Sequence, residues 1–293
     1  MPDNGDYLFT SIGFSSNEEP ILLLQKDESF FSFNPINQSL TLTFDTSQRY
    51  CVGWKDITAG GQFVCPNKQM VPSKFEQCAG CQKRTGFNPA FYHATSVSAQ
   101  QETRNTEPHI LYLAHFGPGV IKVGISHAKR GNARLLEQGA RSAMILDTLS
   151  SAHVARQYEA KIAALPNIAE TIQLRKKIDL MMRPYDEAAA TQELLTTKAI
   201  IESHINTTFT SQHIQTFNSH YFPNGPVNIA DAHATTGQLM LAGKAIGLMG
   251  SVLFCEQNEN IFYSPLKQYA GYAVSISDSI TPITAPARQT SLF

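Results

Sequence analysis

Four of the five cysteines lie close together in the sequence, with a spacing that suits metal binding. Cys51, Cys65, Cys78 and Cys81 follow the pattern C-x13-C-x12-C-x2-C. Two thiolates separated by two residues can grip one tetrahedral ion from a single tight turn, which the intervening glycine eases. We therefore predict a structural zinc site on these four cysteines, with His93 as an alternative fourth ligand. The competing interpretation is four reduced, buried cysteines that hold no metal.

Cysteine usage also bears on the compartment in which the chain works. The first residues, MPDNGDYLF, show no basic segment followed by an apolar one, so we expect no secretion signal. In a chain without an export signal, clustered cysteines favour metal ligation over disulfides, whereas Cys255 stands alone in an apolar stretch. No apolar run reaches the roughly 18 residues that a bilayer-spanning helix needs. We predict a cytoplasmic protein with no membrane partner.

Charge is distributed unevenly along the chain, although the formal net charge is only −1. Residues 101–183 contain 12 Lys or Arg and 7 Asp or Glu, whereas the remainder contains 11 and 17. A basic middle between acidic flanks is a weak electrostatic signature of a polyanionic partner, and a solvated helix face explains it equally well. The 42% share of apolar residues excludes a wholly disordered chain.

The strands and helices predicted from the sequence indicate an α+β protein. We expect several units, since 293 residues exceed the usual single domain. Alternating apolar and polar residues predict a strand at 39–44. Further strands are expected at 109–113, 120–125 and 239–254, and helices at 133–137, 152–165, 169–182 and 187–204. The predicted organisation is a β-rich unit with the zinc site at 1–100, a small α/β domain at 105–205, a barrel-like β-rich unit at 206–280 and a flexible tail at 281–293.

The central region resembles the GIY-YIG nuclease superfamily in the order and spacing of a few residues. Its members carry the GIY and YIG triplets on two short strands, an arginine on the next helix and a metal-binding glutamate on a later one. Here the triplets read Ile-Leu-Tyr at 110–112 and Lys-Val-Gly at 122–124, followed by Arg134 and Glu159. The tyrosine of the first triplet and the glycine of the second are kept, whereas the first glycine and the second tyrosine are replaced.

The resemblance implies a role for four side chains in hydrolysing a phosphodiester, which requires a base, a cation and support for the leaving oxygen. Tyr112 is the candidate base or its relay, and Arg134 the candidate clamp on a non-bridging oxygen. Glu159 is the candidate ligand of one Mg or Mn ion, and Lys122 contacts phosphate or assists the nucleophile. Asn167 is a weak candidate for the asparagine that many members place after the glutamate. Taken singly, each residue is also explained as ordinary packing or surface charge.

Two functions from different classes fit these residues. The first is a metal-dependent endonuclease acting on DNA in repair or replication, favoured by the intact Tyr112, Arg134 and Glu159. The second is a non-catalytic nucleic-acid-binding module with a degenerate nuclease fold, favoured by the altered triplets. The whole chain also resembles an uncharacterised bacterial family that combines a cysteine knuckle, this core and a β-rich end, through RLLEQGA at 134–140 and KQYAGY at 267–272.

The last five residues, QTSLF at 289–293, resemble the short bacterial motif that binds the sliding clamp. Leu292 and Phe293 would be apolar anchors on a flexible segment, and Gln289 would supply directional hydrogen bonds. The resemblance implies the bacterial sliding clamp as a partner. The alternative is that Leu292 and Phe293 fold back onto the β structure of the same chain.

Overall fold

A computed structural model describes residues 5–88, 97–211, 213–235 and 239–285 of the protein. The strands are β1 (Gly5–Phe14), β2 (Pro20–Lys26), β3 (Ser29–Phe33), β4 (Ser39–Asp45), β5 (Trp54–Asp56), β6 (Gly61–Phe63), β7 (His109–Gly117), β8 (Val120–His127), β9 (Ser142–Leu149), β10 (Ile168–Ala169), β11 (Ile214–Thr216), β12 (His233–Ala234), β13 (Met240–Met249), β14 (Val252–Gln257), β15 (Asn260–Pro265) and β16 (Ala273–Ser277). The helices are α1 (Ala79–Thr85), α2 (Ala99–Asn105), α3 (Ala133–Gln138), α4 (Ala152–Ala163), α5 (Leu174–Met181), α6 (Glu187–Ile205) and α7 (Asn218–Tyr221), with short 3-10 turns at Ala128–Arg130 and Leu266–Tyr269. This mixture of helices and large sheets confirms the predicted α+β class.

The largest element is a nine-stranded sheet in the order β12-β15-β14-β13-β4-β16-β1-β2-β3. β4 pairs antiparallel with β13 on one side and with β16 on the other. Strands from 1–100 and from 206–280, which we predicted as separate β-rich units, therefore share one sheet. Local alternation identifies a strand but does not specify a partner far along the chain, so the sequence pattern could not show this pairing. Among the described residues no pairing joins β12 to β3, so the sheet is open where a barrel-like unit was expected.

Most predicted elements occur close to their expected positions, with two informative differences. The apolar stretch at 239–254 is two strands, because the backbone turns at Gly250, whose φ of 64° suits glycine. The helix expected at 169–182 begins only at Leu174, because Ile168–Ala169 pairs with β8 as a short strand. In the described part of the chain, no helix combines the length and apolar character needed to cross a bilayer.

The central sheet has the order β10-β8-β7-β9-β11, and its middle strand, β7, is buried along its whole length. Leu111 and Leu113 on one face of β7 pack in a core with Ile162 of α4 and Leu194 of α6. Tyr112, on the opposite face, belongs to the core that also contains the side chains of the nine-stranded sheet. The two faces of β7 therefore serve two different cores, as the alternation of side chains along a strand allows.

A cysteine-containing unit is inserted between β4 and β7. It contains the β5–β6 hairpin and α1, and its small core consists of the four clustered cysteines and Val71. Two hydrogen bonds connect this unit to the loop just before β16 of the nine-stranded sheet. Tyr50 N–H donates to the Gly271 carbonyl and Arg49 Nε donates to the Ala270 carbonyl, both at 2.7 Å. The unit therefore has its own core but is anchored at its base.

Candidate metal centre and nucleic-acid cleft

The four predicted ligand cysteines come together in one buried cluster. Cys51, Cys65, Cys78 and Cys81 are buried, and their sulfur atoms all lie within 4.8 Å of one another. The Sγ atoms of Cys65 and Cys78 are 3.9 Å apart. A tetrahedral zinc ion with Zn–S bonds of about 2.3 Å separates its sulfur ligands by about 3.8 Å. The cluster can hold a metal ion, and its geometry is consistent with a structural zinc.

The start of α1 positions two of these sulfur atoms. Cys78 immediately precedes the helix in an extended conformation, and Cys81 is the third helical residue. The backbone N–H of Cys78 donates a 3.2 Å hydrogen bond to the Cys51 sulfur. Burial raises the pKa of the Cys51 and Cys81 thiols, whereas at Cys65 hydrogen bonds outweigh burial and lower the pKa. A bound cation would stabilise the thiolate form of all four side chains. The alternative ligand, His93, lies outside the described residues.

In the central sheet, the retained residues of the two triplets form one packed pair. Tyr112 of β7 and Gly124 of β8 are direct cross-strand partners. A Cβ atom at position 124 would lie 2.5 Å from Cζ of Tyr112, far closer than carbon atoms approach. The tyrosine ring therefore lies directly over the glycine, and a larger residue at 124 would displace it.

The surroundings of Tyr112 favour a positioning role over that of a base. The side chain is 1% exposed, and Gln138 donates its amide N–H to the phenol oxygen. Burial raises the pKa of Tyr112, and the positive charge of Arg134 offsets only part of this effect. A phenol with a raised pKa is a poor proton acceptor near neutral pH.

Lys122, on β8, is held by backbone carbonyls. Its Nζ donates to the carbonyl oxygens of Glu170, at 2.6 Å, and Val123, at 3.1 Å. Burial lowers the pKa of Lys122, while the charge of Glu159 raises it and that of Arg134 lowers it. The charges of Arg134 and Glu159 also act on Tyr112, so both charged residues lie within electrostatic range of Tyr112 and of Lys122.

Arg134 and Glu159 line one cleft with a volume of about 330 Å³. Glu159, on α4, is 6% exposed, whereas the Arg134 side chain, on α3, is 41% exposed. Neither Tyr112 nor Lys122 is part of the cleft lining. Of the four predicted site residues, Arg134 and Glu159 therefore line the cleft, whereas Tyr112 and Lys122 do not. Asn167, the weak asparagine candidate, is exposed and is not part of the lining either.

Three further arginines line the same cleft, and sequence reasoning missed all of them: Arg104, Arg130 and Arg156. Arg156 pairs with Glu159 at 2.5 Å and with Glu170 at 3.3 Å. Burial lowers the pKa of Arg104, and the charge of Arg130 adds to this effect. Clustered, half-buried guanidinium groups of this kind bind anions, above all phosphate. We call this feature, with Arg134 and Glu159, the arginine cleft.

Two uncharged groups in the wall of the arginine cleft have unused hydrogen-bonding capacity. Nδ2 of Asn105 and Oγ of Ser126 are buried, and neither has a hydrogen-bond partner within the described ranges. Asn105 is 3% exposed and Ser126 is 6% exposed. Buried polar groups in native proteins are nearly always paired, so these two groups are available to bind a water molecule or a ligand in the cleft.

Two histidines of the cleft lining, His109 and His127, are hydrogen-bonded to Glu107. His127 bonds through Nε2 to the Glu107 carboxylate, and His109 bonds through Nδ1 to the Glu107 carbonyl at 2.9 Å. Burial lowers the pKa of both imidazoles.

A family described as a protein of unknown function (DUF2797) matches residues 38–274. The chain belongs to this family. The match extends from β4 into β16, so the DUF2797 region includes the cysteine cluster and the arginine cleft. No curated protein and no solved structure matches the chain. The resemblance to a family without a known activity is confirmed, whereas the GIY-YIG resemblance stays a prediction.

In this DUF2797 chain the positive charge extends beyond the cleft. Lys177, on α5, donates through Nζ to the Gln138 carbonyl at 2.7 Å. Burial, with the charges of Lys122, Arg134 and Lys267, lowers the pKa of Lys177 to about 8. The excess of basic residues at 101–183 was the one sequence signal for this cluster. The spacing of the cleft arginines along the sequence did not indicate a common site, because they come from α2, α3, α4 and the 3-10 turn before α3.

The C-terminal motif is not described by the structure. Gln289, Leu292 and Phe293 lie outside the described residues and beyond the DUF2797 match. The clamp-binding role of this tail stays a prediction.

Proposed function

We propose that this protein binds nucleic acid in the arginine cleft and hydrolyses a phosphodiester bond there. The observation that carries the proposal is the convergence of four arginines and the buried Glu159 on one cleft. Phosphate oxygens accept two parallel hydrogen bonds from a guanidinium group, and such charge-assisted bonds are among the strongest in proteins. DNA is the proposed polyanion, as the nuclease resemblance implies.

The proposed roles follow from exposure and charge. Arg134 is exposed enough to reach a phosphate oxygen, and Lys122 adds positive charge close by. Tyr112, buried and bonded to Gln138, positions α3 and the hairpin. Glu159 is the carboxylate that would hold one Mg²⁺ or Mn²⁺, an ion that lowers the pKa of water and stabilises charge on the phosphate. A carboxylate oxygen suits such a hard cation. To bind the ion, Glu159 would exchange its ion pair with Arg156 for the metal.

A specific observation favours a second candidate, a non-catalytic nucleic-acid-binding module. The Glu159 carboxylate is already paired with Arg156 at 2.5 Å, and the raised pKa of Tyr112 disfavours it as a base. In this alternative Glu159 orients Arg156 towards a phosphate, and no bond is cleaved.

We also propose that the cysteine cluster holds one structural zinc ion and that the C-terminal tail recruits the protein to DNA through the sliding clamp. Four thiolates leave no open coordination position, so this zinc supports folding and not catalysis. Reduced thiolates suit the cytoplasm, where we place the protein. DNA repair or replication is the corresponding process.

The experiment that separates hydrolysis from binding compares Glu159→Gln with Glu170→Gln. Both variants remove one carboxylate partner of Arg156, but only Glu159 lines the cleft. Purified protein is incubated with branched, nicked and linear DNA in Mg²⁺ or Mn²⁺. We expect Glu159→Gln to reduce cleavage roughly 100-fold or more and Glu170→Gln to leave it within a few-fold of wild type. Salt-dependent binding without cleavage by the wild type would establish the binding module instead. If the wild type shows no binding and no cleavage, both candidate functions are refuted.

A further inference from the structure

The size of the arginine cleft limits what can enter it. Its volume of about 330 Å³ is at the lower end of the roughly 300–1,000 Å³ typical of small-molecule sites. A space of that size can enclose one nucleotide but not a base pair. A nucleotide that places both its phosphate and its base inside the cleft is therefore unpaired at that position.

One aromatic ring is placed at this cleft to meet such a nucleotide. Phe87 lines the arginine cleft, and its side chain is 55% exposed. An exposed phenylalanine beside a group of arginines offers an unpaired base a flat apolar face.

The backbone on both sides of Phe87 is held by α2. Ser98 Oγ, at the start of α2, donates to the Gly86 carbonyl at 2.7 Å. The side chain of Gln101, which is fully buried, accepts from Asn88 N–H and donates to the Asn88 carbonyl, both at 2.8 Å. Phe87 is thus exposed but anchored, so binding a base on it costs little ordering of the backbone.

The unpaired groups of the cleft wall complete the chemistry of a nucleotide. The arginines match the phosphate, whereas Asn105 Nδ2 and Ser126 Oγ are uncharged and directional. Such groups suit the polar edge of a base or a sugar hydroxyl.

We propose that the arginine cleft accommodates one unpaired nucleotide, with its base stacked on Phe87 and its phosphate on the arginines. The inference rests on the proposed nucleic-acid function and specifies its substrate class, which is single-stranded or locally unpaired nucleic acid. Asn105 and Ser126 bond to the nucleoside part.

The test measures binding of two polymers of equal length to the full chain at fixed ionic strength. One is a single-stranded oligonucleotide, and the other is built from abasic units, so that it carries the same phosphates without bases. The variant is Phe87→Ala. The matched control is Phe31→Ala, which removes a ring that is 43% exposed on β3, an edge strand of the nine-stranded sheet.

Wild type and Phe31→Ala should prefer the base-bearing strand by roughly 5- to 100-fold, since stacking of one base contributes that much. Phe87→Ala should lose this preference and bind the abasic polymer as the wild type does. Equal binding of both polymers by the wild type would overturn the stacking site and leave the phosphate site intact. An unchanged preference in Phe87→Ala would likewise overturn it, by placing the base elsewhere. No binding of either polymer would refute the proposed function itself.

Discussion

The cysteine cluster and the arginine cleft lie side by side in the molecule, and their functional groups are brought together in different ways. The cluster draws its four sulfur atoms from one inserted unit, two of them from a single turn. The cleft draws its arginines from four separate elements. A site built within one short stretch leaves a spacing pattern in the sequence, whereas a site assembled by tertiary packing leaves mainly a local excess of charge.

The two regions also differ in the charge of the ligand that each is suited to bind. The cluster is closed and can hold a metal ion, so we expect a metal bound there to stabilise the fold of its unit. The cleft is open and is lined by four arginines and one glutamate, so we expect it to bind an anion. Several contacts couple the two regions, among them the hydrogen bond from Arg104 Nη1 to the Ile57 carbonyl of the cysteine unit. Changes to the cluster should therefore affect folding first, and changes to the cleft should affect binding first.

The largest effect is expected from Cys81→Ser. Loss of one thiolate should release the metal and unfold the cysteine unit, because structural zinc contributes about 10 kcal/mol or more to the folding of small sites. Metal analysis with hydrogen exchange checks this, and protection should be lost at 49–88 and kept in β7 and β8. The control is Cys255→Ala, which removes a buried thiol from β14 and should retain the metal. A Cys81→Ser protein with a full equivalent of metal would contradict the ligand assignment.

Next in size is Gly124→Ala, which tests the scaffold of the cleft. The added methyl group would collide with the Tyr112 ring, so we expect a loss of roughly 1–3 kcal/mol in the free energy of unfolding. Gly13→Ala is the control, because a Cβ there meets its nearest atom at an ordinary 3.5 Å. Denaturant titration of both variants is the measurement. Equal stability of the two would mean that the Tyr112–Gly124 pair tolerates repacking.

Arg134→Ala should reduce nucleic-acid affinity roughly tenfold while changing the thermal midpoint little. A phosphate contact in a cleft is worth more than the surface ion pair that Arg134 makes with Glu137 at 3.8 Å. Arg175→Ala, which removes an exposed arginine of α5 outside the cleft, is the control for net charge. Unchanged binding together with a much lower melting temperature would make Arg134 a structural residue.

The smallest effect concerns Lys177 and pH. Its pKa of about 8 lies below the ordinary 10.5, because burial and neighbouring cations disfavour the charged form. Between those two pH values the unfolded chain binds more protons, so this residue makes stability rise with pH. Lys177→Met should reduce the increase of the free energy of unfolding with pH, measured by denaturant titration from pH 7.5 to 10. This pH range follows from the two pKa values of Lys177, about 8 in the folded protein and 10.5 ordinarily. Identical slopes in both proteins would show that Lys177 titrates normally.

Local patterns predicted much of the secondary structure and the cysteine cluster. The strand at 39–44 and the helix at 187–204 depend on alternation and helical periodicity, which are properties of neighbouring residues. The pairing of β4 with β13 and β16 joins residues some two hundred positions apart, and no local pattern encodes it. Arg104 and Asn105 could not be assigned to the site, because their place depends on how α2 packs beside α4. Phe87 gave no signal, because an isolated phenylalanine is ordinarily taken for core.

The central claim, that the arginine cleft binds phosphate groups of nucleic acid, is tested most directly by the salt dependence of binding. The measurement is the slope of log Kd against log salt concentration for a single-stranded oligonucleotide, in the wild type and in the double variant Arg130→Gln, Arg134→Gln. Each phosphate contact contributes about 0.7 to the slope for a single strand. We expect weaker binding and a slope reduced by about 1.4 in the double variant. An unchanged slope and affinity would contradict it.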